Sequence, residues 1–339
     1  MTTSSPDLAK ARAAWRAAHL VPLWESPTAH QPPAKPDAPY LWSWDAIRPL
    51  LAEAMAIASP AVVERRVLQL VSPHSRSSED EKTVRNLSAA IQMLLPGETA
   101  RPHRHSMNAL RFVLEGKGAE TIVNGKACPM EVGDLVLTPA WCWHEHRHSG
   151  DGPMIWLDVL DVPLHLSLGT SEFEPGPVKE LPATLPDAAF AVANVLPEDG
   201  GGHSAHSPVF RYPYADAAAA ASVAPRGRDG ARRVRYVNPR TGGAAMALID
   251  CHLVQLEPDE ATMPFRSNAN AICAVVEGSG TSAVGDATLS WHPRDVFTLP
   301  QGNWIEHRSN AGARLFITSD REILSRLGLL REEYGNRAA

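Results

Sequence analysis

The chain has 339 residues, 44% of them hydrophobic, and a formal net charge of −6. That length suffices for two domains of roughly 150 residues each. The basic residues are scattered, so neither a nucleic-acid surface nor a polybasic membrane anchor is expected, and no apolar stretch approaches the ~18 residues of a membrane span. The first twenty residues lack the apolar core of a signal peptide. Four widely spaced cysteines, Cys128, Cys142, Cys251 and Cys273, form no CxxC pair and read as free thiols in a reducing compartment. A cytoplasmic enzyme or binding protein is the expectation.

In chain order, Leu8, Ala11, Trp15 and Leu20 recur at roughly helical spacing over residues 6–20. Residues 26–39 are Pro-rich and read as an extended arm, and a second helix follows near residues 44–58. Trp15, Trp24, Trp42 and Trp44 read as anchors of this arm on the body or on a neighbouring subunit. From residue 64 short β-branched runs alternate with Gly, Pro and Asn: RRVLQLV, AIQMLLPGE, ALRFVLEG, AETIVNGK, GDLVLTP and PMIWLDVL. Strands at ~8–12-residue spacing indicate a sandwich or small barrel. Residues 166–235 read as a connector with helical stretches near 187–195 and at ADAAAAASVA, and strands resume near 244. The run SDREILSRLGLLREE reads as an amphipathic helix capped by Asp320, with Ile323, Leu327 and Leu330 on one face. The expected partition is a helical and Pro-rich arm (1–60), a first β domain (61–165), a connector (166–235) and a second β domain with a terminal helix (236–339).

The two β domains align. HRHSMNALRFVLEG (103–116) matches FRSNANAICAVVEG (265–278) at Arg104/Arg266, Asn108/Asn270 and a shared Glu-Gly. GDLVLTPAWCWHEH (133–146) matches RDVFTLPQGNWIEH (294–307). His103 and His105 sit two apart in a strand pattern, so both project to one face, and His144 follows on a later strand. In the second copy these three positions hold Phe265, Ser267 and Ile305. Joint loss of three histidines on a persisting scaffold points to one metal site per chain, since a ligand set works only when complete. Three protein ligands leave coordination positions open. The plainer alternative is a solvated polar strand.

These residues resemble the cupin superfamily, a small antiparallel β-barrel: Gly97, His103, His105 and Gly116 fit its first motif, and Gly133, Pro139 and His144 its second. Two departures stand out. Ala109 replaces the Glu ligand of the first motif, and Trp141 replaces a Gly of the second. The strings AIQMLLPGE, GDLVLTPAWCWHEH, WLDVLDVPL, FRYPY, YVNPRTGG and SDREILSRLGLLREE are similar to the gentisate 1,2-dioxygenase family, which includes salicylate, nitrosalicylate and 1-hydroxy-2-naphthoate dioxygenases. The resemblance covers nearly the whole chain. It implies a mainly β bicupin fold, two antiparallel jelly-roll barrels with a helical arm and helical connector. It also implies iron(II) on His103, His105 and His144, cleavage of an ortho-hydroxybenzoate with O2, and a homotetramer. Gentisate opened to maleylpyruvate is the leading expectation, with salicylate, halo- or nitrosalicylate and 1-hydroxy-2-naphthoate as alternatives, and a non-catalytic metal-binding cupin as the contrasting class.

Strand parity adds a set of helpers. Arg111 shares the parity of His103 and His105, and a buried Arg calls for an anion, either a substrate carboxylate or Asp158. His146 shares the parity of His144 but persists as His307 in the second copy, so a catalytic and a structural role both stand. The resemblance adds Gln92 near substrate or oxygen, and one of Arg65 and Arg66 near the substrate carboxylate. Met107 is expected against the ring, and Trp141 and Trp143 as walls of a dry pocket.

Overall fold

A computed structural model describes residues 6–25, 35–74, 82–192, 195–198 and 204–335. The chain divides into Met1–Pro36 and Asp37–Ala339. The smaller unit holds a helix, Pro6–Ala17, and a single 3-10 turn, Leu23–Glu25. Arg12 bonds Glu25 at 2.8 Å, and Trp15 meets Trp24 edge to face at 5.9 Å. Most of the Pro-rich stretch lies outside the described residues.

The larger unit is mainly β, as expected. Four antiparallel sheets pair into two barrels. In the first barrel, one sheet runs Arg211–Tyr212, Leu135–Thr138, Ala109–Glu115, Met154–Leu160, Ser88–Leu94, Val67–Gln69. Its partner runs Phe173–Pro175, Thr99–His105, His144–His148, Ala119–Val123, Lys126–Met130. The second barrel repeats this order strand for strand. Its first sheet runs Leu41–Trp42, Val296–Leu299, Ala271–Glu277, Ala313–Ser319, Asp250–Leu256, Arg232–Arg235. Its second runs Ala287–Trp291, Gly280–Val284, Trp304–Arg308, Phe265–Ser267, Glu332–Tyr334.

Alternating apolar residues turn inward from each sheet, and the two barrels share one core across their broad sheets. Phe112 of the first and Phe316 of the second stack at 4.0 Å and 9°, a contact worth ~0.5–1.5 kcal/mol beyond its burial. Trp44 opens the helix Trp44–Ile57, and its N–H donates to Asp295 Oδ1 at 2.7 Å, tying this helix to the second barrel. The shared Glu-Gly has a physical cause. Gly116 sits at φ +100, with a Cβ site 2.3 Å from Pro153 O, and Gly278 at φ +78, with a Cβ site 2.4 Å from Gly312 O. Only glycine lets these strands cross so closely.

The repeat extends past each barrel. The helix Val162–Leu168 leads to the strand Phe173–Pro175, which pairs with Thr99–His105. The helix Arg321–Arg326 leads to Glu332–Tyr334, which pairs with Phe265–Ser267. The expected long terminal helix is therefore only six residues; Gly328, at φ +69, follows it, and the chain turns back as a strand. Asp320 precedes this helix but makes no side-chain cap bond; its carboxylate accepts from Asn270 N and Nδ2 at 2.7 and 2.9 Å. Asp161 takes the same two bonds from Asn108, at 2.9 and 2.8 Å. Among the described residues no helix is long and apolar enough to cross a membrane, and all four cysteines are free and buried.

Candidate metal centre

His103 and His105 end the strand Thr99–His105, and His144 starts the adjacent strand; His103 and His144 face each other in register. A bulge between Ala100 and His103 re-aims the end of the strand. The three ring centroids lie 4.2, 5.0 and 5.3 Å apart, and one nitrogen from each ring falls within 4.8 Å of the others. All three residues are buried. His105 Nδ1 bonds Met107 O and His144 Nδ1 bonds Cys142 O, both at 2.9 Å. A carbonyl can only accept, so each Nδ1 carries the proton and each Nε2 is left as a bare lone pair. His144 Nε2 is buried without a partner. Burial drives His105 down to about 4, and burial with the neighbouring cations and imidazoles holds His103 and His144 well below the ordinary histidine range. Three neutral, convergent imidazoles form a donor set that fits a divalent metal.

Around them the first barrel gathers further polar atoms without partners. Of the seven buried, unbonded side-chain nitrogens and oxygens among the described residues, four belong here: Gln92 Nε2, Arg111 Nε, His144 Nε2 and His146 Nε2. Each would cost about 1–3 kcal/mol if left unmet. Arg111 lies opposite Asp158 in the strand register. Its Nε is 3.4 Å from Asp158 Oδ1, an ion-pair distance without hydrogen-bond alignment, while Nη1 donates to Thr138 Oγ1 at 2.7 Å. Asp158 also accepts from Trp156 Nε1 at 3.1 Å. Burial raises the Asp158 carboxyl, opposed by Arg111 and Arg65. His146 Nδ1 meets Thr121 Oγ1 at 2.9 Å. Thr121 donates to Met130 Sδ, so it accepts from His146 and leaves Nε2 bare. The second barrel repeats this pair as Ser282 Oγ and His307 Nδ1 at 2.7 Å, so the hydroxyl orients the ring whether or not ligand histidines are present.

The structure separates the two candidate arginines. Arg65 abuts His103 Nδ1 and donates to Arg101 O at 2.9 Å; burial, then repulsion from Arg111, lowers it to about 10. Arg66, the alternative, turns the other way, into Glu98 at 2.7 Å and Ala58 O at 2.6 Å. Successive residues of an extended chain cannot face one way. Trp141 and Trp143 are a correction. Arg104, between the two inward histidines, points to the outer face of the sheet, and its guanidinium lies 5.5 and 4.8 Å from their rings. Trp141 is 42% exposed and Trp143 is buried beneath Arg104, so neither walls the histidine face. Met107 lies at the mouth, with Ser106 Oγ 3.3 Å from its sulfur.

Sequence reasoning missed a clasp. Arg104 Nε bonds Glu174 at 2.8 Å while covering Trp143. Arg266 bonds Glu333 at 2.7 Å while covering Trp304 at 4.8 Å. Each clasp holds the short strand at its barrel's mouth, and in the first barrel this places Phe173 on His103, centroids 5.1 Å apart and 26° from parallel. The signal was present: Arg104/Arg266 is one of the few identities between the two copies.

Residues 90–160 match the cupin domain family. The gentisate 1,2-dioxygenase 1 of Aquipseudomonas alcaligenes is 36% identical over 92% of both chains. A 5-aminosalicylate 1,2-dioxygenase of Comamonas sp is 33% identical over 93% of this chain and 87% of its own. The crystal structure of a salicylate 1,2-dioxygenase from Pseudoaminobacter salicylatoxidans with gentisate superposes with a TM-score of 0.90 at 28% identity, covering 99% of this chain and 96% of that one. Two repeated barrels, one bearing three convergent histidines and the other Phe265, Ser267 and Ile305 in their places, together with full-length similarity to these proteins, show that the chain belongs to the gentisate 1,2-dioxygenase family of bicupin ring-cleaving enzymes.

Proposed function

We propose that this chain opens an ortho-hydroxybenzoate between its carboxyl-bearing and hydroxyl-bearing carbons with O2, with gentisate converted to maleylpyruvate as the leading reaction. One ring bond breaks, and both oxygen atoms enter the product. The observation that carries this reading is the cluster of unmet donors and acceptors, Gln92, Arg111 and His146, beside three neutral imidazoles in one buried barrel interior. His103, His105 and His144 would hold iron(II), one per chain, which supplies open coordination positions and the one-electron chemistry that O2 requires. The protein's own residues do the rest. Arg111 meets the substrate carboxylate, with Arg65 beside it, and their paired charge fixes the acid's orientation. His146 Nε2, a bare lone pair, receives the phenolic proton. Gln92 donates its amide N–H to an oxygen of substrate or O2. Asp158 holds Arg111 in place, and Met107 sits at the entrance against the ring.

The relative named for 5-aminosalicylate favours a second reading, the same cleavage on a salicylate, its halo- or nitro-derivatives or 1-hydroxy-2-naphthoate. We also read the chain as a cytoplasmic homotetramer, with residues 61–165 as the metal domain and 236–339 as a metal-free partner. Protein purified without oxygen should carry one iron per chain, and His105→Ala should lose it. Ring-fission absorbance is then scored across gentisate, salicylate, 5-nitrosalicylate and 1-hydroxy-2-naphthoate. Salicylate turnover without gentisate turnover selects the second reading. Iron content unchanged by His105→Ala refutes the assignment, and no turnover of any acid by iron-loaded protein leaves a non-catalytic cupin.

A further inference from the structure

The second barrel holds a cavity of about 300 Å³ where the first has its histidines. The register fixes the correspondence. Phe265 pairs with Ile305 as His103 pairs with His144. Val254 takes the place of Gln92, Cys273 of Arg111 and Ile317 of Asp158. The metal, carboxylate and amide partners of the first barrel have thus become apolar, except that Ser267 stands in place of His105 and accepts from Ala269 N. The side chains that replace the ligands do not fill the space. The volume instead persists at the lower end of the ~300–1,000 Å³ range of small-molecule sites.

Among the polar side chains that line the cavity are two imidazoles. His307 Nδ1 is engaged by Ser282, which leaves Nε2 toward the cavity, as Nε2 of His146 is left in the first barrel. His252 stands where the first barrel has only Ala90, so this barrel has gained an inward imidazole. The cations around the mouth are already matched: Arg233 to Asp229, Arg235 to Asp250 and Glu322, Arg321 to Glu332. Phe265, Ile305 and Val254 offer no metal ligand. Apart from these paired charges, which also line the cavity, the interior is ring-lined, with imidazole nitrogens able to give or take one hydrogen bond each.

We infer that the second barrel is a metal-independent binding site for an uncharged phenol, one six-membered ring with a hydroxyl held between His252 and His307 and the ring among Val254, Phe265, Ile305 and Ile317. A hydroxyl both donates and accepts, which suits two imidazoles, while a carboxylate would find every neighbouring arginine occupied. This site does not depend on the metal centre or on the reaction assigned to it. The test is calorimetric titration of phenol, with benzoate as the charged comparison, into the EDTA-treated full-length protein. The expected result is a saturable phenol site that disappears in Ile305→Trp and in Val254→Phe, two independent fillings of the cavity checked for folding by circular dichroism. His252→Leu should weaken it, and benzoate should bind about tenfold less tightly or worse. Absence of saturable phenol binding, its survival in both filled variants, or equal binding of benzoate overturns the proposal. The same variants should retain ring-fission activity, since none lies in the first barrel.

Discussion

Arg111 carries two duties that one pair of substitutions can separate. It is 3% exposed, bonds Thr138 at 2.7 Å and faces Asp158 at 3.4 Å. In Arg111→Met the methionine replaces the aliphatic stem but leaves the Asp158 carboxylate buried with only Trp156 Nε1 as partner. Breaking a buried pair by removing one member costs about 3–5 kcal/mol. The surviving Trp156 bond places this case at the lower end, about 3 kcal/mol. Adding Asp158→Leu removes the stranded charge, and apolar replacement of a whole pair is close to neutral, so the double variant should recover to within about 1 kcal/mol of the parent. Substrate binding should not recover. Loss of a buried charge-assisted contact costs at least about 2 kcal/mol, or roughly thirtyfold in KM, in single and double variants alike. Urea unfolding of the metal-free protein gives the first quantity and steady-state kinetics with gentisate the second. A double variant as unstable as the single one, or one with the parent's KM, would refute the assignment.

Three further outcomes follow from the geometry. Arg104→Gln releases the clasp on Glu174 and Trp143; we expect about 1–2 kcal/mol of lost stability, faster amide exchange at Ser106, and weaker metal retention against a chelator. Arg266→Gln should cost similar stability with metal retention unchanged, and identical effects on metal would remove Arg104 from the centre. Gly116→Ala forces a Cβ to 2.3 Å from Pro153 O at φ +100, whereas Gly97→Ala, at φ +80, meets nothing within 4 Å. The first should lower thermal stability by about 1–3 kcal/mol more than the second, and equal effects would deny the close crossing. For pH, burial holds His307 at about 4, below the ordinary 6.5. The unfolded chain therefore takes its proton first. His307 contributes its full stability above that ordinary value and loses it as pH falls toward 4, by about 2 kcal/mol between about pH 7 and pH 5. Urea midpoints of His307→Gln should be flatter over that window, and parallel curves would count against a neutral buried imidazole.

The metal triad was legible because its signal is contrast within one chain. Two aligned copies, three histidines in one and Phe265, Ser267 and Ile305 in the other, need no coordinates. Strand parity likewise turned Arg111 inward and left a substrate carboxylate or Asp158 as its partner; the register places it opposite Asp158. Parity allowed only one of Arg65 and Arg66 to face inward, and the structure selects Arg65. It was not applied to Trp143, which adjoins His144 and so in extended chain must face away from it. The mouth strands were illegible for another reason. Phe173–Pro175 and Glu332–Tyr334 are three-residue strands with no alternating pattern, defined only by the distant strand each one pairs with. The terminal run had real helical periodicity, but Gly328 follows after six helical residues and pairing of Glu332–Tyr334 with Phe265–Ser267 prevailed.

That late pairing bears on the order in which the protein can be built. The strand carrying His103 and His105 has His144–His148 on one side, but on its other side only Phe173–Pro175. During synthesis all three ligands leave the ribosome before that outer neighbour does. Until it arrives, the nascent chain offers a bare sheet edge bearing His103 and His105, open to foreign strands. Arrival of Phe173–Pro175, fastened by Arg104, ends that exposure. A fragment ending just after Leu160 lacks that outer strand and should therefore aggregate through the open edge.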